Sequence, residues 1–153
     1  MAIRLDLVRH GAAVATSPLG DAGRELSADG AAQVRMLAAG LARDGWRPGV
    51  VFTSPLTRAR QTTSLLLQPL GGLALVHTIR ELMPEQTPAA LFAMLEAQRE
   101  EETHVLAVGH QPLLGSVLAT LTGESPAVAT GSFHAIELPD GFRRGTGRIL
   151  ERR

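Results

Sequence analysis

Cysteine and lysine are both absent from this chain, and aromatic residues make up only 3% of its 153 residues. Without cysteine there is no disulfide framework and no thiolate metal site. That composition fits a reducing compartment, so the expected location is the cytoplasm. With four Phe, one Trp and no Tyr against 44% hydrophobic residues, the core must be aliphatic, built from Leu, Val and Ala. An excess of either charge is also missing: 15 basic and 15 acidic residues leave no net charge. Nucleic-acid-binding domains carry a basic footprint, so nucleic acid is not expected as a partner. No run approaches the ~20 apolar residues of a membrane span, and no membrane association is expected. The opening residues MAIRLDLV carry charge in their middle and lack a small-residue cleavage pattern, which reads as no signal peptide.

One domain, residues 1–153, is the expectation for this length. A domain of that size buries roughly 70% of its unfolded surface, enough for a self-sufficient core. There is no internal repeat and no long linker; apolar runs alternate with helical patterns. Residues 3–8 read as a strand, and residues 11–26, rich in small residues with Ser17, Pro18, Gly20 and Gly23, as a loop. Ser27 is placed as N-cap of a helix over 28–44, whose Val34, Leu37, Ala38 and Leu41 follow the i, i+3, i+4, i+7 rule; Gly45 and Pro48 end it. Residues 50–52 form a short strand stopped by Thr53, Ser54 and Pro55. A helix follows to about Gln68, broken by Pro69, Gly71 and Gly72. Residues 73–76 read as a third strand. Thr87 and Pro88 open a helix to about Glu100, with Thr as N-cap and Pro in the first turn. Residues 104–108 are the next strand, and Leu113, Leu114, Val117, Leu118 and Leu121 form the apolar core stripe of another helix. Residues 132–138 and a short edge segment, 148–152, complete the strands. This alternation predicts a three-layer α/β fold, a mostly parallel central sheet with helices on both faces.

The most informative positions are 7–11, LVRHG. There the first apolar run breaks into Arg9, His10 and Gly11. A cation, an imidazole able to act as nucleophile and a flexible backbone position thus sit at a strand's carboxyl end, where open α/β sheets bind ligands. LAVGH at 106–110 repeats the pattern with His110. Strand ends of a parallel sheet converge, so both histidines are expected in one site. The second strand leads through Ser54 and Pro55 to Arg58, one turn into its helix. Two guanidiniums and two imidazoles, with no carboxylate at those three strand ends, suit a dianion. Arginine binds phosphate oxygens bidentately, and positive neighbours lower an imidazole's pKa, keeping it neutral and nucleophilic. In phosphoryl transfer charge spreads over three equatorial oxygens, so positioning and cationic clamping supply most of the catalysis. The all-arginine basic set suits phosphate as well, although a composition-wide bias explains it more simply.

Four segments carry a resemblance, in order and over nearly the whole chain: RHG at 9–11, LSADGAAQ at 26–33, SPLTRARQT at 54–62 and VGH at 108–110. They resemble the RHG motif, the helix-opening pattern, the SPxxRxxQT segment and the second-histidine motif of the histidine phosphatase superfamily, which includes the cofactor-dependent phosphoglycerate mutases. The short length is most similar to the SixA-type phosphohistidine phosphatases. The resemblance implies a phosphoglycerate mutase-like fold and a metal-independent phosphatase with no cofactor. It implies that His10 takes the phosphoryl group covalently, that Arg9 and Arg58 bind its oxygens, and that His110 donates a hydrogen bond to it. The family's general acid, a Glu shortly after the third strand, corresponds to Glu81, with Glu85 second. Such an acid is worth about 10²–10⁴-fold, and a phosphohistidine substrate needs it less than an alkoxide leaving group does. The His10 ring is expected to be oriented by a backbone carbonyl near Gly11, and Gly11 to leave room for phosphate beside the binding set Arg9, Arg58 and His110. Many relatives carry Thr or Ser where this chain has Ala13, so one polar phosphate contact is missing. The long insertions that cover the site in the mutases are missing too, which argues against a mutase and for an open site.

The remaining polar residues carry blander readings. Arg60 is expected to point elsewhere as a surface ion-pair partner, His77, His104 and His134 to be structural, Glu100, Glu101 and Glu102 to be a solvated helix end, and Ser54 to be a turn or helix cap with influence on the site from behind. Zinc is not expected, because no HExxH-type spacing occurs and arginine neighbours repel a cation. The leading expectation is a phosphatase acting through a phosphohistidine at His10 on a phosphohistidine-bearing protein. The alternatives are a phosphatase of small esters, such as sugar phosphates or nucleotides, and a non-catalytic phosphate-binding module.

Overall fold

The computed structural model describes residues 2–72 and 75–153. Among these, six strands form one sheet: β1 (Ile3–Arg9), β2 (Val50–Thr53), β3 (Leu75–Thr78), β4 (His104–Gly109), β5 (Phe133–Leu138) and β6 (Arg148–Arg152). Their order is β3-β2-β4-β1-β5-β6. The pairs β3–β2, β2–β4 and β4–β1 are parallel, whereas β5 runs antiparallel to β1 and β6 antiparallel to β5. Four helices cover the sheet: α1 (Ala28–Arg43), α2 (Thr57–Leu67), α3 (Pro88–Gln98) and α4 (Leu113–Thr122). This is the mixed α/β, mostly parallel fold expected from the alternation of elements. No helix among the described residues is long and apolar enough to cross a membrane.

Side-chain alternation along the strands explains the layering. Leu5 and Leu7 of β1, with Phe52, Val105 and Ala107, face α3 and α4, where Leu91, Leu95, Leu114, Val117 and Leu118 close the core. Val8, with Val51, Leu106 and Val108, faces α1 and α2, meeting Val34, Ala38, Leu41, Ala59 and Leu66. Both clusters are almost wholly aliphatic, as the low aromatic content requires.

Local signals set the helix ends. The Ser27 hydroxyl accepts from the Gly30 N–H (3.0 Å), and the Thr87 hydroxyl from Ala90 N–H (3.2 Å), so both expected N-caps are formed. The helix expected to reach Glu100 stops at Gln98. Glu100 and Glu101 adopt φ of 52° and 66°, a left-handed conformation that no run of L-residues continues as helix. The exposed acidic run therefore makes the turn into β4 instead of ending a helix. In the third strand, Leu73 and Ala74 lie outside the described residues. The strand continues beyond Val76 to Thr78, because His77 and Thr78 pair with Phe52 and Thr53. Gly30 marks a close approach: a Cβ there would lie 2.0 Å from the Ala12 carbonyl oxygen, so glycine is what lets the chain leaving β1 cross directly over α1.

The three histidines read as structural lie away from the strand-end histidines. The imidazole of His104 is 2.6 Å (Nε2) from the carboxylate of Asp6, which also accepts from Trp46 Nε1 (2.7 Å) and Arg4 Nε (2.9 Å). Asp6 is fully buried, and three donors are what make a buried carboxylate tolerable. His77 stacks on Phe52, with ring centroids 5.2 Å apart, and His134 is buried in β5. Arg60 is exposed, as expected. Its expected ion pair does not form, however: no carboxylate of the described residues lies within salt-bridge distance of its guanidinium.

Candidate active site at the strand ends

Parallel register builds the site. Arg9 of β1 aligns with Gly109 of β4, and Val108 of β4 aligns with Thr53 of β2. The next residues, His10, His110 and Ser54, therefore leave three neighbouring strands at one edge. The His10 N–H donates to the Gly109 carbonyl (3.1 Å), and the Ser54 N–H to that of Val108 (3.1 Å). The rings of His10 and His110 lie 4.9 Å apart, both nearly inaccessible to solvent. The segment leading into β5 supplies a further wall, since the Gly131 N–H donates to the carbonyls of both Arg9 and His10, and Arg9 Nη1 donates to the Val128 carbonyl (2.9 Å).

Hydrogen bonds assign the protons on His10. Its Nδ1 lies 2.7 Å from the Gly11 carbonyl oxygen, which can only accept. In the neutral ring Nδ1 therefore carries the hydrogen, and Nε2 holds the free lone pair. His110 Nε2 lies 2.7 Å from the Ser54 hydroxyl, while its Nδ1 is buried without a partner among the described residues. The Nε atoms of Arg9 and Arg58 are buried and unpartnered in the same way. Among the described residues, no group of three or more His, Cys, Asp or Glu is placed to hold a metal ion.

Both imidazoles titrate far below the usual 6.5. His10 falls to about 4, first because burial penalises the charged ring; the Gly11 hydrogen bond opposes this, and the charges of Arg58, Arg9 and Arg24 add to the lowering. His110 falls to about 3, again first by burial, then by repulsion from His10 and Arg58, with Asp21 pulling upward. Positive neighbours were expected to keep these rings neutral. They contribute, but desolvation is the larger cause.

Gly11 is needed for a different reason from the one expected. A Cβ at this position would lie 2.9 Å from Val34 Cγ2 and 3.0 Å from the Gly30 carbonyl oxygen, so the glycine packs the chain onto α1 and does not clear space for phosphate. Its N–H donates to the Thr62 hydroxyl (3.1 Å) and its carbonyl faces His10, which commits both of its polar groups to the protein.

Residues 12–26 are not featureless, although their small-residue composition reads as loop. Ala13 bridges Leu26, and Asp21–Gly23 form a 3-10 turn. Gln61 accepts the Leu26 N–H (2.8 Å), and Thr62 donates to the Arg58 carbonyl (2.8 Å) while accepting from Gly11. The last two residues of the SPLTRARQT segment thus tie this loop and the β1 end to α2. The turn also brings a carboxylate that the strand ends do not contain. Arg58 Nη1 donates to the Asp21 carbonyl (3.0 Å) and Nη2 to its Oδ2 (3.3 Å), while Arg24 Nη1 donates to Oδ1 (3.3 Å). Nothing in the local sequence distinguishes Asp21 or Arg24 from other loop polar residues.

Glu81 sits in another 3-10 turn, Arg80–Leu82, that leans on the end of β4: a Cβ on Gly109 would lie 3.3 Å from the Leu82 carbonyl oxygen. The Ser54 hydroxyl oxygen lies 3.8 Å from Met83 Sδ, farther than the 2.7 Å that separates it from His110 Nε2. Glu81 is half-buried and Glu85 exposed; neither carboxylate has a hydrogen-bond partner among the described residues.

A sequence profile described as the Histidine phosphatase superfamily (branch 1) matches residues 5–87. The chain belongs to the histidine phosphatase superfamily. Within that superfamily it is 31% identical over 146 residues to the phosphohistidine phosphatase SixA of Escherichia coli (strain K12), covering 92% of this chain and 88% of that one. The structure of a protein histidine phosphatase SixA complexed with tungstate superposes with a TM-score of 0.88 at 26% identity, covering 98% of this chain and 96% of that one. The alpha-ribazole phosphatase from Shigella flexneri shares the fold, with a TM-score of 0.73 at 24% identity, covering 97% and 96% of the two chains. The superfamily's phosphatase activity is accordingly assigned to this chain, on the phosphoglycerate mutase-like fold.

Proposed function

We propose that this phosphatase removes the phosphoryl group from phosphohistidine on a protein, through a covalent phosphohistidine at His10. The supporting observation is the environment of His10 Nε2: a lone pair fixed in place by the Nδ1–Gly11 bond, beside buried nitrogens of Arg9, Arg58 and His110 that have no partner among the described residues. A phosphoryl group accepts from such donors through its equatorial oxygens, and charge-assisted bonds of this kind are the strong ones. The likeness to SixA supports the choice of substrate.

In the first step Nε2 bonds to phosphorus and the P–N bond of the substrate breaks, its electron pair staying on the substrate nitrogen; the substrate ring carries a proton on its other nitrogen and so departs as neutral imidazole. Water then attacks the phosphoryl group on His10, releasing phosphate and restoring Nε2. Arg9 and Arg58 supply the positive charge, so the reaction requires no metal. With the Ser54 hydroxyl donating to His110 Nε2, the neutral ring carries its hydrogen on Nδ1, which donates to the phosphoryl group. Arg9, Arg58 and His110 bind the group; Gly11 acts through its carbonyl by orienting His10.

Ser54→Ala removes that hydroxyl and leaves His110 Nε2 unpartnered. Losing one buried hydrogen bond costs about 1–3 kcal/mol, so kcat is expected to fall about 5- to 150-fold with little change in KM, and Ser54→Thr is expected to restore it. A fall in thermal stability with kcat intact would assign Ser54 to folding alone.

The substrate is tested by comparing kcat/KM on a phosphohistidine-bearing carrier protein and on an alkyl phosphate, for the wild type and for Glu81→Gln. We expect the carrier protein to be the better substrate. Removing the acid is expected to slow the ester by about 10²-fold or more and the carrier protein by far less, because an imidazole leaves more easily than an alkoxide. Preference for the ester, with the carrier protein left phosphorylated, would overturn this reading in favour of a small-molecule phosphatase.

A further inference from the structure

We propose that Asp21 makes this site discriminate against phosphorylated ligands that carry a further negative charge near the phosphoryl group, and so selects for neutral or cationic groups such as an imidazole. The inference rests on the reading of Arg58 as a phosphoryl-binding residue. Asp21 lies outside the set of strand-end residues, on the turn of the loop between β1 and α1, yet its backbone carbonyl and its carboxylate both accept from the Arg58 guanidinium. The Arg58 side chain is 7% exposed and that of Asp21 is 65% exposed. The guanidinium is therefore inside the site, and the carboxylate holding it faces the solvent side, from which a ligand enters.

Charge arithmetic gives the direction. Arg9, Arg24 and Arg58 contribute three positive charges and Asp21 one negative, leaving two, which a phosphoryl dianion balances. A carboxylate or second phosphate on the same ligand meets Asp21 with no such compensation, and like charges brought together at an interface select against the wrong partner. The influence of Asp21 reaches beyond Arg58, since its charge opposes the lowering of the His110 pKa. A group whose only role was to position Arg58 would not need a charge, because the shorter of its two bonds is made by a backbone carbonyl.

The test is binding, so it needs no turnover. Benzylphosphonate and its 4-carboxy derivative differ by one carboxylate, and their Kd values are measured by calorimetry on the full chain. The wild type is expected to bind the carboxylated ligand about fivefold more weakly. Asp21→Asn, which keeps the backbone carbonyl and the side-chain shape, is expected to bring the ratio close to one, and Asp21→Glu to retain it. Raising the ionic strength of the wild type from low salt to 0.5 M is expected to narrow the ratio as well, which covers an Asn variant that folds poorly. Equal Kd values for the wild type, an equal loss for both ligands in Asp21→Asn, or no binding of either ligand overturns the proposal. The outcome is separable from the substrate reading: an enzyme inert toward phosphohistidine that still rejects the carboxylated ligand overturns the earlier reading and leaves this one standing.

Discussion

A folded His10→Ala variant is expected to lose turnover by about 10⁴-fold or more, the usual consequence of removing a covalent nucleophile. The expectation follows from the proton assignment. The Gly11 carbonyl takes the Nδ1 hydrogen, so only Nε2 can attack, and the neighbouring His110 cannot replace it in the proposed tautomer, because its Nε2 lone pair is held by the Ser54 hydroxyl and its Nδ1 carries the hydrogen. Brief mixing with a phosphohistidine donor protein, an alkaline quench and intact-protein mass measurement should show one added phosphoryl group on the wild type and none on the variant. Turnover retained by the variant, or a phosphoryl group found on another residue, would sink the mechanism. The pH dependence of the transfer step carries the same assignment. Because burial holds His10 near a pKa of about 4, its Nε2 is unprotonated at any pH above about 5. The acid limb belonging to the nucleophile should therefore lie near pH 4, well below the pH 6.5 of a solvated imidazole.

Stability is expected to fall steeply as pH drops below about 6.5. His10 and His110 have folded-state values of about 4 and about 3, below the 6.5 of the unfolded chain. Between these limits the unfolded state binds protons that the folded state does not. The stability they contribute is complete above pH 6.5 and is lost as pH falls toward the folded values. Each histidine contributes up to about 1.4 kcal/mol per pH unit, so the pair contributes up to about 2.8. Against a total of about 5–15 kcal/mol for a domain, this places acid unfolding well above the pH at which carboxylates alone would drive it. His134, lowered first by burial and then by Arg152, acts in the same direction. The check is the urea midpoint of the wild type and of His10→Ala and His110→Ala between pH 7 and pH 4. Each variant should flatten the slope, and an unchanged slope would show that the buried rings do not control it.

Much of the architecture was legible because its causes are local. Caps at Ser27 and Thr87, breakers at Gly45 and Pro69, and apolar runs of the right period needed only nearby residues. Two of the errors have the opposite cause: the extension of β3 through His77 and Thr78 and the 3-10 turn at Asp21 depend on what lies across the chain. The left-handed turn at Glu100 and Glu101, by contrast, is closed locally, with the Glu102 N–H donating to the Arg99 carbonyl. Strand pairing with Phe52 and Thr53 outweighs the polarity of His77 and Thr78, and Arg58 captures Asp21 from 37 residues away.

The site divides along the same line. The chemical repertoire — two imidazoles and one guanidinium at the ends of apolar runs, and a second guanidinium just beyond another — is a property of the sequence, because strand ends in a parallel sheet must meet. Three decisions belong to the tertiary structure alone. Burial, more than neighbouring charge, lowers the histidine pKa values, and burial exists only once both layers of helices are packed. Gly11 serves the contact with Val34 and Gly30, which no inspection of residues 9–11 reveals. The carboxylate of Asp21 enters a site whose strand ends contain none, because hydrogen bonding and Coulomb attraction depend on distance in space, and distance along the chain carries almost no information about it.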